Sequence, residues 1–215
     1  MSRLNFSNLA KLAVINKTDK GNQHGYIVHY EKHFSGLRNK KLNILEIGAG
    51  GYEDSASGGN SLRMWKHYFP KSIIYAIDIH DKRLIQEERI RIFKGSQADG
   101  EFLRGIFKKI GSLDIIIDDG SHVNEHIITT FKVLFPLLKS GGVYVVEDLQ
   151  TSYWPDYGGD TKNLNNSSTA INFFKSLADC LNHEEFRIPE YQASYFDKNI
   201  SALHFYRNLA FIYKA

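Results

Sequence analysis

The chain has 215 residues, 42% apolar and 24% charged, with a net charge of +3. That balance is ordinary for a globular protein, long enough for one domain with a substantial core, and too weakly basic to argue for a nucleic-acid partner. A single Cys180 excludes an intrachain disulfide and a cysteine-based zinc site. Met1 to Ala10 holds no apolar stretch resembling a signal peptide, and no run is long enough to span a membrane. A soluble cytoplasmic protein with no membrane partner is expected, and the Asn-x-Ser/Thr triplets at Asn16 and Asn166 read as chance.

In chain order, His24, His29 and His33 stand at near-helical spacing and read as an amphipathic surface helix rather than a metal stripe. Leu42–Ile47 is the first expected strand. A helix follows over Ser61–Tyr68, in which Trp65 reads as packing and Lys66 as a solvated charge. Strands are expected at Ile73–Ile79, Ile90–Phe93, Leu113–Asp118 and Val143–Glu147, with helices at Gly100–Ile110 and His126–Leu138. This alternation predicts an α/β fold with a doubly wound parallel sheet. Gln150–Ser168 is poor in apolar residues and reads as a long loop, a lid or binding segment. Its Tyr153, Trp154 and Tyr157 either stack on the apolar face of a sugar or form the loop's own small core. Ser201–Tyr206 and Leu209–Lys214 alternate in polarity across Arg207-Asn208, and a connection that short forces an antiparallel hairpin.

Two places carry chemistry. The first strand runs into Gly48-Ala49-Gly50-Gly51, where glycines allow a tight turn and close backbone approach to a ligand. The dinucleotide pattern would need glycine where Glu53 stands, which disfavours a nicotinamide or flavin cofactor. Asp78 ends the next strand and suits a ribose diol; a helix cap or turn residue is the alternative. Gly95-Ser96-Gln97-Ala98-Asp99 either contacts a base or is a plain turn.

The second place is a pair of acidic turns. Ile115-Ile116-Ile117 ends in Asp118-Asp119-Gly120-Ser121-His122, and Val143-Tyr144-Val145-Val146 ends in Glu147-Asp148. On neighbouring parallel strands these would bring four carboxylates and an imidazole to one sheet edge. Such a cluster repels itself unless a cation sits in it, and hard cations such as Mg²⁺ take carboxylate oxygens, with Mn²⁺ a close substitute. Helix capping by Asp118 or Asp119 and a polar loop role for His122 are the plainer readings.

The run Glu46 to Gly51, Asp78, the strand ending Asp118-Asp119 and the terminal hairpin resemble the class I S-adenosylmethionine-dependent methyltransferases. Gly58 to Pro70, Asp118 to His122 and Val145 to Trp154 narrow the likeness to the metal-dependent sugar O-methyltransferases of macrolide biosynthesis, the mycinamicin type. Thr18-Asp19-Lys20-Gly21, with His24, Tyr26 and Tyr30, resembles the segment that packs over the cofactor there. The resemblance runs from about Thr18 to Lys214. It implies a Rossmann-like seven-stranded sheet of order 3-2-1-4-5-7-6, with residues 1–40 as a helical segment over the cofactor and 150–170 as a lid loop.

The resemblance also implies S-adenosylmethionine and Mg²⁺ as cofactors. Asp119, Glu147 and Asp148 match the metal ligands, and His122 matches the catalytic base. Tyr26, Glu46, Gly48, Gly50, Gly51, Asp78, Gln97 and Asp118 would serve the cofactor, Asp118 near its amine or bonded to backbone. The acceptor would be a small-molecule sugar or glycoside. The macrolide enzymes carry a further N-terminal domain that is expected to be missing here, which leaves the acceptor open and makes a compensating homo-oligomer plausible. A catechol-type enzyme and a non-catalytic cofactor binder are the rival readings.

Overall fold

The computed structural model describes residues 9–21 and 23–215. Residues 1–8, on which most of the leader reading rests, lie outside those described. Seven strands form one sheet of order β3-β2-β1-β4-β5-β7-β6. They are β1 (Asn43–Ile47), β2 (Ile73–Asp78), β3 (Ile90–Lys94), β4 (Leu113–Asp118), β5 (Leu138–Val146), β6 (Ile200–Tyr206) and β7 (Leu209–Lys214). The chain divides into two compact units, one ending at Ser96 and one running from Gln97 to Ala215.

In the first unit β1 pairs with β2, and β2 with β3, all parallel. Ile44, Leu45 and Ile47 are buried on both faces of β1, as apolar residues in a covered parallel strand should be. Each such side chain contributes about 1.5–3 kcal/mol of burial. Helix α1 spans Leu9–Ile15, and α2 (Ile27–Phe34) buries Ile27, Tyr30 and Phe34, one stripe of a 3.6-residue period. His29 and His33 ride on α2, but His24 lies in the turn before it and stacks on Tyr26. Trp65 of α3 (Asn60–Tyr68) is core, in ring contact with Tyr30, Phe34 and Phe69. Lys66 is not a free solvated charge: its Nζ lies 2.7 Å from Glu87 Oε1, with the side chain only 17% exposed.

In the second unit Asp99 caps α4 (Gly100–Ile110) by accepting from the Glu101 and Phe102 amides, so the end of the Gly95–Asp99 stretch is a helix start. β4 pairs parallel with β5, bringing Asp118 opposite Val146. The expected helix His126–Leu138 is shorter and earlier: α5 is Asn124–Leu134, and Phe135–Leu137 is a 3-10 turn. Pro136 sits in that turn, where its missing N–H and fixed φ end the α-helical ladder. β5 accordingly starts at Leu138, before the predicted Val143, with a register shift opposite Leu113/Ile115. The terminal hairpin forms as expected, β7 antiparallel to both β5 and β6. Asn208 takes a left-handed φ of 61° in its two-residue turn. The segment after β5 holds two 3-10 turns, Leu149–Tyr153 and Pro155–Tyr157, before α6 (Ala170–Cys180) and α7 (Tyr195–Asn199). No helix among the described residues is long and apolar enough to cross a membrane.

Candidate functional site

Strands β4 and β5 end side by side and release their acidic turns at one edge. Asp119, His122 and Asp148 converge there, one ligand atom of each within 4.8 Å of the others. His122 Nε2 lies 3.7 Å from Asp148 Oδ2 and 4.0 Å from Asp119 Oδ1. All three side chains are partly accessible, His122 and Asp119 at 25% and Asp148 at 15%. Glu147 falls outside this group of three. It is buried, and its amide donates to the Asp118 carbonyl at 2.9 Å. His122 and Asp148 both adopt left-handed backbone, φ 57° and 54°. That conformation is uncommon for residues with a Cβ and clusters at functional sites.

Asp118 points away from solvent into a buried network. Its Oδ1 accepts from Gln97 Nε2 at 3.1 Å and its Oδ2 from the Tyr144 hydroxyl at 3.2 Å. Burial pushes its carboxyl up to about 7, against the opposing pull of those two hydrogen bonds. Gln97 also donates to Thr130 Oγ1 and accepts from the Ser121 amide at 2.6 Å. Its side-chain amide is thus engaged in holding the turn that carries Asp119 and His122.

Asn124, which sequence reasoning passed over, opens α5 two residues after His122. Its buried amide donates to the carbonyls of Thr151 (3.1 Å) and Tyr157 (2.9 Å), and its Oδ1 accepts from the Ala170 amide at 2.6 Å. Nothing in the spacing around it signals that role. The loop beyond Asp148 is drawn in tightly. A Cβ on Gly159 would collide with the Thr151 carbonyl and the Trp154 amide. Tyr153 and Trp154 remain exposed on it, Trp154 at 47%, and Trp154 contacts Tyr157.

The glycine loop belongs to the first unit. The Gly48 amide donates to the Ile77 carbonyl and the Gly59 amide to the Ala49 carbonyl, so the loop folds back on its own start. Gly58 has φ +103°, and a Cβ there would strike the Ala49 and Gly50 carbonyls. Asp78 accepts the Ala49 amide on Oδ2 (2.9 Å) and the His80 amide on Oδ1 (2.8 Å). Each oxygen keeps a further lone pair for a diol. Two buried lysines support this region. Lys82 Nζ donates to the Asp54 and Ser57 carbonyls, and Lys20 Nζ lies 3.3 Å from Glu46 Oε1 with both side chains sealed from solvent. Tyr26 is buried beside His24.

These residues fit the groups the sequence suggested. Mg²⁺ holds its ligands at 2.0–2.1 Å, so opposite ligands sit about 4.2 Å apart and adjacent ones closer. The carboxylate oxygens of Asp119 and Asp148 are hard donors, gathered with a His122 ring nitrogen within 4.8 Å of one another. Gly50 leaves open space above its Cα, the nearest atom to an added Cβ being Gly58 Cα at 4.0 Å, so a ligand can approach the backbone there.

The strand order and terminal hairpin are those of the class I methyltransferase fold. Relatives are narrower in kind. The chain is 46% identical over 192 residues to the mycinamicin VI 2''-O-methyltransferase of Micromonospora griseorubida, spanning 89% of this chain and 48% of that enzyme. It is 44% identical over 207 residues to the 8-demethyl-8-alpha-L-rhamnosyl tetracenomycin-C 2'-O-methyltransferase of Streptomyces olivaceus, spanning 96% and 54%. Among solved structures, the MycE methyltransferase of the mycinamycin biosynthetic pathway, in complex with Mg and SAH, matches with a TM-score of 0.93 at 45% identity over 97% of this chain and 54% of that one. The chain therefore spans about half the length of the curated relatives it matches. No protein-family model matches it.

Proposed function

We propose that this chain is the catalytic part of an S-adenosylmethionine- and Mg²⁺-dependent O-methyltransferase acting on a hydroxyl of a sugar in a glycosylated small molecule. The observation that carries this reading is the convergence of Asp119, His122 and Asp148 within 4.8 Å, on a fold shared with an enzyme solved with Mg and SAH. Relatives named for methylating mycinamicin VI and a rhamnosyl tetracenomycin favour a glycoside over a catechol as acceptor.

In this reading Asp119 and Asp148 would hold the metal, with Glu147, which stands outside that group of three, as a further candidate ligand. When bound, Mg²⁺ supplies Lewis acidity to the acceptor hydroxyl, and S-adenosylmethionine supplies a methyl group on a sulfonium. His122 would take the proton of the acceptor hydroxyl as general base. Gly48, Gly50 and Gly51 offer backbone to the cofactor, Asp78 takes its ribose diol, and Tyr26 and Glu46 shape the surrounding wall. Asp118, whose carboxyl burial pushes up, stays with Gln97 beneath the turn rather than joining the metal ligands.

Calorimetry tests the reading. S-adenosylmethionine should bind the wild type, and Mg²⁺ should then give a signal that Asp119→Asn weakens by about tenfold or more while leaving cofactor affinity in place. An unchanged Mg²⁺ isotherm in Asp119→Asn would remove the metal assignment. Absence of cofactor binding would remove the methyltransferase reading itself.

A further inference from the structure

We infer that Asn124 is a positioning residue: it clasps the turn carrying His122 to the loop that follows Asp148, and so sets the spacing of the proposed metal and base residues. The inference rests on the function proposed above for that cluster. The geometry is specific. Asn124 stands two residues after His122, and Thr151, whose carbonyl it binds, stands three residues after Asp148. Thr151 is itself tied back to Asp148, its amide and its hydroxyl both donating to the Asp148 carbonyl at 3.1 Å. One buried side chain thus connects the backbone of the β4 turn to the backbone of the β5 turn.

The same amide reaches further. Its second donor holds the Tyr157 carbonyl, fixing the part of the loop where Trp154 and Tyr157 meet. Its oxygen accepts the first free N–H of α6, at Ala170, closing the far end of the loop. An amide is the group that can do all of this at one place, because it has two donors and an acceptor on a short stem. Aspartate would face two carbonyls with negative charge, and alanine would leave two buried backbone groups and one part-buried carbonyl without this partner.

The test compares Asn124→Ala and Asn124→Asp with Ser152→Ala. Ser152 accepts the next α6 amide, from Ile171, at 3.0 Å and is equally buried, but it is not part of the clasp. Hydrogen exchange is followed at the Trp154, Tyr157, Gly159 and Ala170 amides, and Mg²⁺ is titrated into each S-adenosylmethionine complex. The expected result is exchange faster by about tenfold at Trp154 to Gly159 in both Asn124 variants, with Ala170 still protected in Asn124→Asp, and Mg²⁺ affinity about tenfold weaker. Cofactor affinity and the Ser152→Ala Mg²⁺ isotherm should stay at wild-type values. Unchanged Mg²⁺ affinity in the Asn124 variants, or an equal loss in Ser152→Ala, overturns the inference. If the wild type takes no Mg²⁺, the functional reading fails on its own, and loop exchange alone then decides whether Asn124 is a clasp.

Discussion

His122 Nε2 lies 3.7 Å from Asp148 Oδ2, and both residues hold left-handed backbone. Two side chains from different turns meet there, each on a turn that bends its chain the disfavoured way. Left-handed backbone costs an ordinary L-residue about 1–2 kcal/mol, less for aspartate and asparagine, whose short polar side chains bond locally.

This separates conformation from charge at Asp148. Asp148→Asn should unfold in urea within about 0.5 kcal/mol of wild type, while Asp148→Ala should lose about 1 kcal/mol more than that. Both should weaken Mg²⁺ binding. Equal stability of the two variants would mean that the left-handed turn at Asp148 is unstrained.

The Lys20–Glu46 pair joins the segment before α2 to β1, with both side chains sealed from solvent. Breaking a buried ion pair by removing one member costs about 3–5 kcal/mol. Lys20→Met should show a loss of that order in equilibrium unfolding. The double variant Lys20→Met/Glu46→Gln should recover much of it, since both charges of the pair are then removed together. A double variant as unstable as Lys20→Met would show that the methylene packing of Lys20, not its charge, matters.

Asp118 gives a pH signature with a defined sign. Its folded carboxyl is raised to about 7, while an unfolded aspartate titrates near 4. Its contribution to stability is therefore full below pH ~4, declines as pH rises, and is lost above pH ~7. The stability of wild type minus that of Asp118→Asn, from urea unfolding with a chelator present, should fall across that window and then flatten. A difference that rises with pH would contradict the burial that raises the group.

Much of this protein could be read along the chain. The runs Ile44-Leu45, Ile73–Ile77, Ile115–Ile117 and Val143–Val146 announce buried strands because apolar residues follow one another there without polar alternation. Arg207-Asn208 announces the hairpin because two residues leave no other path. The acidic pairs stand out at strand tips because carboxylates seldom follow such apolar runs without a task. Boundaries were less legible. The end of α5 turns on Pro136 in a 3-10 turn, and the start of β5 passes through Gly141-Gly142, where apolar periodicity is silent. Lys66 reads as a solvated charge along the chain because its partner Glu87 is 21 positions away.

By itself, then, the sequence determined the strands, the hairpin and the identity of the acids and histidine, since these depend on local pattern and on the termination of apolar runs. Tertiary structure alone decided which polar groups share a partner. It turned Asp118 inward to Gln97 and Tyr144, set Asp119, His122 and Asp148 together with Glu147 outside that group, buried Lys20 against Glu46, and drew three distant backbone groups to Asn124. Those bonds link positions 21 to 46 residues apart, and a hydrogen bond at that range leaves no periodicity in the chain that makes it.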